Sequence, residues 1–479
     1  MNDAMRPWIQ IVAGWCGAIL FFCSPIVLAK TPTPLPETIT LGQAIEYALE
    51  HYPAVRESLA KQQEAQSGID LAETTYLPKV EIGFQGSRST FNNVSGMFFP
   101  NSVIQPISGP DLGRNSYGSS WGSTAGILLA WEPFDFGLRS AKVSTARAME
   151  RHSQAFVDLT QLEVALVVGN AYIDVSMAQE SRQAMQANLD RRIVFAKRVD
   201  VLVQNQLRAG VDGSRARAET AVARTQLLEA EQFELSQIAI LGQVLGRAGL
   251  PIVIKDPLLR EVPKGTLSVM TNPGEHPLAL VHKAAADIPK KREEALARAW
   301  VPKVNVQSSF FGRGSGWDNR GHRDGGGEGL LPDVPNWGVG LTATFSLLDF
   351  SAIRAEQQQE HYRNVAEMAR YDRVIQELTA QQVKARSVLE SAKRIAENTP
   401  IQLQAARLTE SQAEAQFKAG LATVVDVAEA QRLVVQATVD DARARLGVWK
   451  SYLALSGAKG DLSEIFQLVR TSSTIPLRK

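Results

Sequence analysis

The sequence predicts a mainly α-helical chain that also carries membrane-type β-strands, both made by one internal duplication. Three observations carry this. A helix-to-strand junction occurs twice: His51-Tyr52-Pro53 opens a helical stretch running into Leu77-Pro78-Lys79-Val80, and His276-Pro277 opens one running into Val301-Pro302-Lys303-Val304. Later landmarks recur too, Phe134-Asp135-Phe136-Gly137 as Leu348-Asp349-Phe350-Ser351 and Arg208-Ala209-Gly210-Val211 as Lys418-Ala419-Gly420-Leu421. The lag of about 210 to 224 residues far exceeds the roughly 20 to 50 of a solenoid repeat, so the chain has two halves and is not an array. The third observation is a change of period, from helical to alternating, after each of these prolines.

The boundaries follow in chain order. Residues 1–29 hold Arg6, an apolar stretch from Trp8 to Leu28 and a Val27-Leu28-Ala29 end, the pattern of an export signal peptide. An uncleaved anchor is the other reading, because the stretch is close to the roughly 20 residues that span a bilayer. Both cysteines, Cys16 and Cys23, fall here, so the mature chain is expected to have no disulfide and no Cys-ligated metal. The first repeat covers 30–265, with a strand pair at about 78–135 and a helical hairpin at about 137–247. The second covers 266–461, with a strand pair at about 302–350 and a hairpin at about 352–457. A tail, 462–479, remains. With 51 basic and 50 acidic residues the net charge is +1, which gives no reason to expect nucleic acid as a partner.

In the first strand Val80, Ile82 and Phe84 point one way, and Lys79, Glu81, Gly83 and Gln85 the other. Its partner places Trp121, Ser123, Ala125, Ile127, Leu129 and Trp131 on one face, opposite Gly122, Thr124, Gly126 and Ala130, with Leu128 as the apolar exception. The second half repeats this with Val304, Val306 and Phe310, then with Trp337, Val339, Leu341, Ala343, Phe345 and Leu347. An apolar face with tryptophans at the interfaces suits a transmembrane strand, and Trp121, Trp131 and Trp337 form the expected aromatic belt against lipid. A soluble sheet with one face in a core is the competing reading. Residues 86–119 and 312–335 read as long exposed loops. Four strands cannot close a barrel, and bacterial barrels start at about 8 strands, so two or three copies are needed.

From about Gly137 to Leu207, and again from Ala352 to Lys418, the composition favours uninterrupted helix. Roughly 70 residues at 1.5 Å each make a rod on the order of 100 Å long. Met368, Tyr371, Ile375, Leu378, Ala385, Leu389, Ala392 and Ala396 step by threes and fours, broken only by Gln382. Turns at Gly210 and Gly420 return each rod as a second helix, and Pro400, like Pro251 beyond the first hairpin, marks a kink or an irregular belt. A dry antiparallel coiled coil is the alternative to helices around a water-filled centre.

Taken together, the signal, the duplicated strand-pair-plus-hairpin units and the paired glycine turns resemble the TolC family of outer-membrane efflux proteins, over about Ile39 to Gly457. Ile39-Thr40-Leu41-Gly42-Gln43-Ala44 and Tyr76-Leu77-Pro78 resemble the family's opening and its first crossing into the barrel. The resemblance implies a homotrimer with four strands per protomer. Three protomers make a β-barrel of about 12 strands in the outer membrane, continued by an α-helical barrel that extends into the periplasm. It also implies docking to a periplasmic adaptor and an inner-membrane pump, as in multidrug efflux or type I secretion, with no chemistry and no cofactor.

For the inner tip the resemblance implies carboxylate rings at Asp426 and Glu429, whose crowding raises the pKa of some members. In the first repeat it points to Ala216 and Glu219. The family's tyrosine, aspartate and arginine lock falls on Phe417, Ala216 and Ala422, so closure is expected from apolar packing around Phe417, or from Arg215 and Arg217 meeting acids of the neighbouring hairpin. Asp426 and Glu429 could instead simply complement a helix N-terminus. Ala209-Gly210-Val211 and Ala419-Gly420-Leu421 resemble the adaptor-binding tips, which is compatible with plain helix C-cap glycines.

His51, His152, His276, His282, His322 and His361 show no zinc-motif spacing, and Gly312-Arg313-Gly314-Ser315-Gly316 reads as a loop. Three classes of function stay open: an export duct, a periplasmic coiled-coil scaffold or adaptor without a barrel, and an exported enzyme.

Overall fold

A computed structural model describes residues 38–90, 117–249, 251–255, 257–263, 271–316, 327–345, 348–463 and 465–467. The export-signal reading, the two cysteines, most of the first long loop and most of the tail lie outside the described residues.

Seven α-helices and four strands occur among them. They are α1 (Leu41–His51), α2 (Pro53–Glu73), β1 (Lys79–Thr90), β2 (Ser119–Phe134), α3 (Leu138–Gln204), α4 (Gly210–Val244), α5 (Pro277–Leu296), β3 (Lys303–Ser315), β4 (Val334–Thr344), α6 (Phe350–Lys418) and α7 (Val424–Lys459). From α2 and α5 onwards the two repeats run through the same elements in the same order. β1 and β3 start at Lys79 and Lys303, 224 positions apart, whereas α3 and α6 end at Gln204 and Lys418, 214 apart. The ten-residue difference is absorbed between the paired strands, so the helical hairpins share one register.

The strands form a single antiparallel sheet in the order β1-β2-β3-β4. Its register places Ile82, Ile127, Phe310 and Trp337 in one cross-strand row, and Val80, Leu129, Ser308 and Val339 in another. These rows share a face, and its apolar side chains are exposed, Ile82 at 77% and Trp337 at 76%. The opposite face carries Gly83, Gln85, Thr124, Gly126, Gln307, Ser309, Gly338 and Gly340. On it Phe311 is buried across from Gly126, where a Cβ would collide with Phe311. Trp131 donates its indole N–H to the Tyr76 carbonyl at 3.1 Å, next to the helices. Trp121, at the far end of β2, lies under the Arg88 guanidinium, 5.3 Å away. Trp337 shares the row of Ile127, so along the strands it stands between the other two tryptophans.

Arg139 fixes the junction between sheet and helix. Its guanidinium is buried, bonds the carbonyls of Thr75 (3.0 Å) and Glu132, pairs with Asp135 at 3.1 Å and covers the Tyr76 ring. Asp135 in turn accepts backbone N–H bonds from Gly137 and Arg139 at the start of α3.

Near the sheet, α2 packs on α3, α3 on α5 and α5 on α6; further away, α4 packs on α3, α3 on α7 and α7 on α6. α5 and α7 therefore both lie between the two rods, leaving α2 and α4 on one flank and α6 on the other. α3 contains the one stretch among the described residues apolar enough for a membrane-spanning helix, and 61% of that stretch is buried among its neighbours. Tyr371, Val374, Ile375 and Leu378 of α6 pack against α5, and Ala385, Leu389, Ala392 and Ala396 against Val448, Tyr452 and Leu455 of α7. Gln382, between these sets, is fully buried and reaches the Thr271 hydroxyl at 3.4 Å. Pro400, where the sequence leads one to expect a kink or an irregular belt, lies inside α6, which continues on both sides of it, and Thr399 bonds across to Asp441.

Two further ties hold the middle of the molecule. Ile39 forms a parallel bridge with Ile254, and Tyr172 donates to the Ile39 carbonyl at 2.8 Å. His276 caps α5: Nδ1 accepts from the Leu278 N–H (3.0 Å), so Nε2–H donates to the Gly457 carbonyl (2.9 Å). This fixes the neutral tautomer, and burial pushes the His276 pKa down.

Two predictions follow from these contacts. Gly126→Val should abolish the folded, heat-modifiable band on SDS gels, while Gly340→Ala, with nothing near its Cβ position, should retain it. The unfolded chain protonates His276 first, so its contribution is complete above about pH 6.5 and is lost as pH falls towards the lowered folded pKa. Urea midpoints measured from pH 7.5 to 5 should therefore drop, and His276→Asn, which keeps an N-cap acceptor, should reduce that slope.

Candidate functional site at the hairpin turns

The turns after α3 and α6 decide which residues of the two repeats correspond. α6 ends with Gly420 at φ 79°, its N–H bonded to the Phe417 carbonyl and that of Leu421 to Gln416. α3 ends in the same way, but on Gln206 at φ 57°, with the Leu207 N–H bonded to Leu202. Both are left-handed C-terminal stops, and they lie 214 positions apart. Gly210 is thus the first residue of α4, matching Val424 of α7, and is not a C-cap.

This corrects the tip assignment. The first-repeat counterpart of Asp426 is Asp212, since each is the third residue of its helix, and Arg215 corresponds to Glu429. Ala216 and Glu219 lie further up α4. Glu219 forms an ion pair with Arg192 at 3.0 Å, and Ala216 is buried in an apolar cluster. The sequence offered the signal in the 214-residue spacing of Phe134 and Leu348, but matching glycine to glycine conceals it.

Asp426 forms a capping box with Thr423, accepting from its N–H and its hydroxyl, both at 2.7 Å. Those bonds hold the Asp426 pKa below the usual carboxylate range. Glu429 is gripped by Arg432 at 2.9 and 2.5 Å, which lowers its pKa as well. Within one protomer neither carboxylate is raised. Both are exposed at the end of the bundle.

Phe417 is buried, and it faces the interior of its own chain. It meets the Phe195 ring at 5.1 Å and packs with Ala216, Ala422, Val424 and Val427. Here the apolar closure expected from the sequence joins the two hairpins of one protomer. Arg217 turns to Asp200 of its own hairpin, at 3.9 Å. Around this cluster α3 supplies arginines that the sequence reading missed. Arg192, itself buried, donates to the Ala428 carbonyl at 3.0 Å while holding Glu219. Arg191 pairs with Glu410 at 3.4 Å and Arg198 with Glu414 at 3.6 Å, linking α3 to α6. From the turn after α3, Arg208 lies over the Phe417 ring and donates to the Ala422 carbonyl at 3.3 Å. Burial pushes Glu410 up against the lowering effect of Arg191.

Ala209, Gly210 and Val211, like Ala419, Gly420 and Leu421, stand exposed at the end of the bundle. No group of three or more potential metal-ligating side chains occurs among the described residues.

The outer membrane efflux protein family model matches residues 44–247 and 281–461. Protein CyaE of Bordetella pertussis is 30% identical over 239 residues, a stretch that covers 48% of this chain and 45% of that protein. Among solved structures, the Vibrio cholerae outer membrane protein VceC is 17% identical with a TM-score of 0.68, over 88% of this chain and 96% of that one. The Campylobacter jejuni CmeC outer membrane channel is 15% identical with a TM-score of 0.69, over 90% and 89%. The open-state Neisseria gonorrhoeae MtrE outer membrane channel is 17% identical with a TM-score of 0.70, over 88% and 89%. At these identities the structures establish a shared fold.

Replacing Arg192 by Ala leaves Glu219 and a buried carbonyl unpaired, a loss of about 2 kcal/mol or more. Hydrogen exchange at the start of α7 should accelerate in Arg192→Ala and stay unchanged in Arg432→Ala, whose side chain is exposed.

Proposed function

The chain belongs to the outer membrane efflux protein family, and on that premise we propose that three copies form one duct across the outer membrane and the periplasm. One observation carries this reading: the sheet and the helical layer are open on the same two flanks. Among the described residues β1 and β4 are the outermost strands of the sheet; the α2 and α4 flank continues from β1, and the α6 flank from β4. The flanks expose apolar side chains, among them Val222, Leu228 and Phe233 on α4, and Val365, Val388 and Ile395 on α6. Lateral repetition covers both flanks, and a third copy supplies the strands of a closed barrel of about 12. The exposed apolar face of the sheet then meets lipid, with Trp121, Trp131 and Trp337 as its aromatic residues.

In that assembly the Asp426, Glu429 and Asp212 carboxylates recur threefold around the inner mouth, favouring cations over anions. The exposed turns, led by Val211 and Leu421, are the contact points for a periplasmic adaptor, which connects the duct to an inner-membrane pump of an efflux or type I secretion system. A periplasmic scaffold without a barrel is the second reading, and it leaves the apolar face of the sheet without a partner.

Planar-bilayer recording tests the proposal. The purified protein should form cation-preferring channels, and Asp212→Asn with Asp426→Asn and Glu429→Gln should lower the potassium-to-chloride permeability ratio severalfold. Asn at 426 keeps a side-chain oxygen that accepts from the Thr423 N–H, so the capping box loses its charge and not its acceptor. Unchanged selectivity would remove the carboxylate rings, and absence of conductance would remove the duct.

A further inference from the structure

Residues 312–335 read from the sequence as one exposed loop, but the described part of the stretch after β3 does something else. β3 extends to Ser315, and the chain that returns from Gly327 crosses the outward, apolar face of the sheet on its way into β4. The crossing is made possible by missing side chains. A Cβ on Gly314 would collide with the Leu331 carbonyl, one on Gly312 would lie 3.1 Å from Pro332 Cβ, and one on Gly316 would lie 2.9 Å from the Glu328 carbonyl. Gly312 and Gly314 belong to the same face as Phe310, since they pair with Ala125 and Ser123. Gly329, at φ 86°, turns the returning chain against the Trp121 carbonyl and the Gly316 N–H. Ser123, beneath the crossing, is wholly buried, although it lies on the face where Ile82 and Phe84 are exposed.

The level of the crossing can be read along β2. Ser123, opposite Gly314, is two residues from Trp121 towards the helices, about 7 Å, and Ala125, opposite Gly312, is four residues away, about 13 Å. The backbone of Leu331 and Pro332 therefore lies inside the Trp121 and Arg88 rim. Its side chains suit that position: Leu331 is 79% exposed and Leu330 42%. The carboxylates, Glu328 and Asp333, stand at the two ends of the segment.

We propose that residues 327–333 form a lipid-contacting strap, lying on the barrel wall in the outer leaflet with Leu330 and Leu331 among the acyl chains, and are not part of an aqueous loop. The proposal rests on the reading that this sheet is membrane-embedded. The Leu330 N–H is bonded to the Gly327 carbonyl within the segment at 3.2 Å, and the leucines contribute about 1.5 to 3 kcal/mol each on leaving water. The strap thereby ties the start of β4, an outermost strand among the described residues, to the interior strands β2 and β3.

Site-directed spin labelling of the full chain in lipid nanodiscs tests it. With Cys16 and Cys23 replaced by Ser, nitroxides are placed separately at Leu331, at Tyr117, which is fully exposed before β2, and at Val339, on the outward face of β4. The ratio of oxygen to nickel-chelate collisions at Leu331 should exceed that at Tyr117 severalfold and approach that at Val339. A ratio at Leu331 equal to that at Tyr117, with Val339 lipid-exposed, would overturn the strap and leave the duct intact. Aqueous values at Val339 as well would overturn both. Adding Gly314→Val, which blocks the crossing, should shift the Leu331 label to aqueous values while the Val339 label stays in lipid.

Discussion

Unpaired backbone groups in lipid govern this structure. Each N–H or C=O left open in hydrocarbon costs several kcal/mol, and among the described residues β1 and β4 are the outermost strands, with no further strand paired to either. A four-stranded sheet with exposed Ile82, Phe84 and Trp337 on its outer face is stable neither alone in water nor alone in a membrane. The duplication supplies the simplest route out, because a unit that repeats laterally within the chain can repeat laterally between chains. Gly126 and Phe311 set the fit of the central strand pair, and Arg139 transmits that placement to α3. The helices then inherit the spacing of the strands.

At the other end the governing term is electrostatic. The end of α3 carries Arg191, Arg192 and Arg198, the turn after it carries Arg208, and each reaches across to the second hairpin. Two of these contacts are ion pairs between partly exposed side chains, which contribute little individually. The other two donate to carbonyls beside the buried Phe195 and Phe417 pair, where water competes less. Apolar packing and arginine bonds together fix the relative position of the two hairpins in one protomer.

How much of this was legible follows from the kind of signal each part leaves. The strand faces were, because alternation survives in Val80, Ile82 and Phe84 and in Trp337, Val339 and Leu341, and the register pairs these rows as their period requires. The rods were legible to within a few residues from composition. The tip was not: glycine marks a left-handed stop in the second repeat, whereas Gln206 takes that conformation in the first, so a glycine-to-glycine match shifts the register by four residues. Asp212 was missed for that reason. The arginine contacts depend on which helices lie side by side, information that no local pattern contains. Glycines at 312, 314 and 316 look like a loop in sequence, although the first two lie within a strand and make room for a second layer of chain.

The central claim is that the open flanks are closed by identical neighbours. Native mass spectrometry of the protein extracted from outer membranes in mild detergent tests it most directly. A particle of three chains, each at most 52.3 kDa, is the predicted result. A single-chain particle that retains its strand content and resists proteolysis would contradict it.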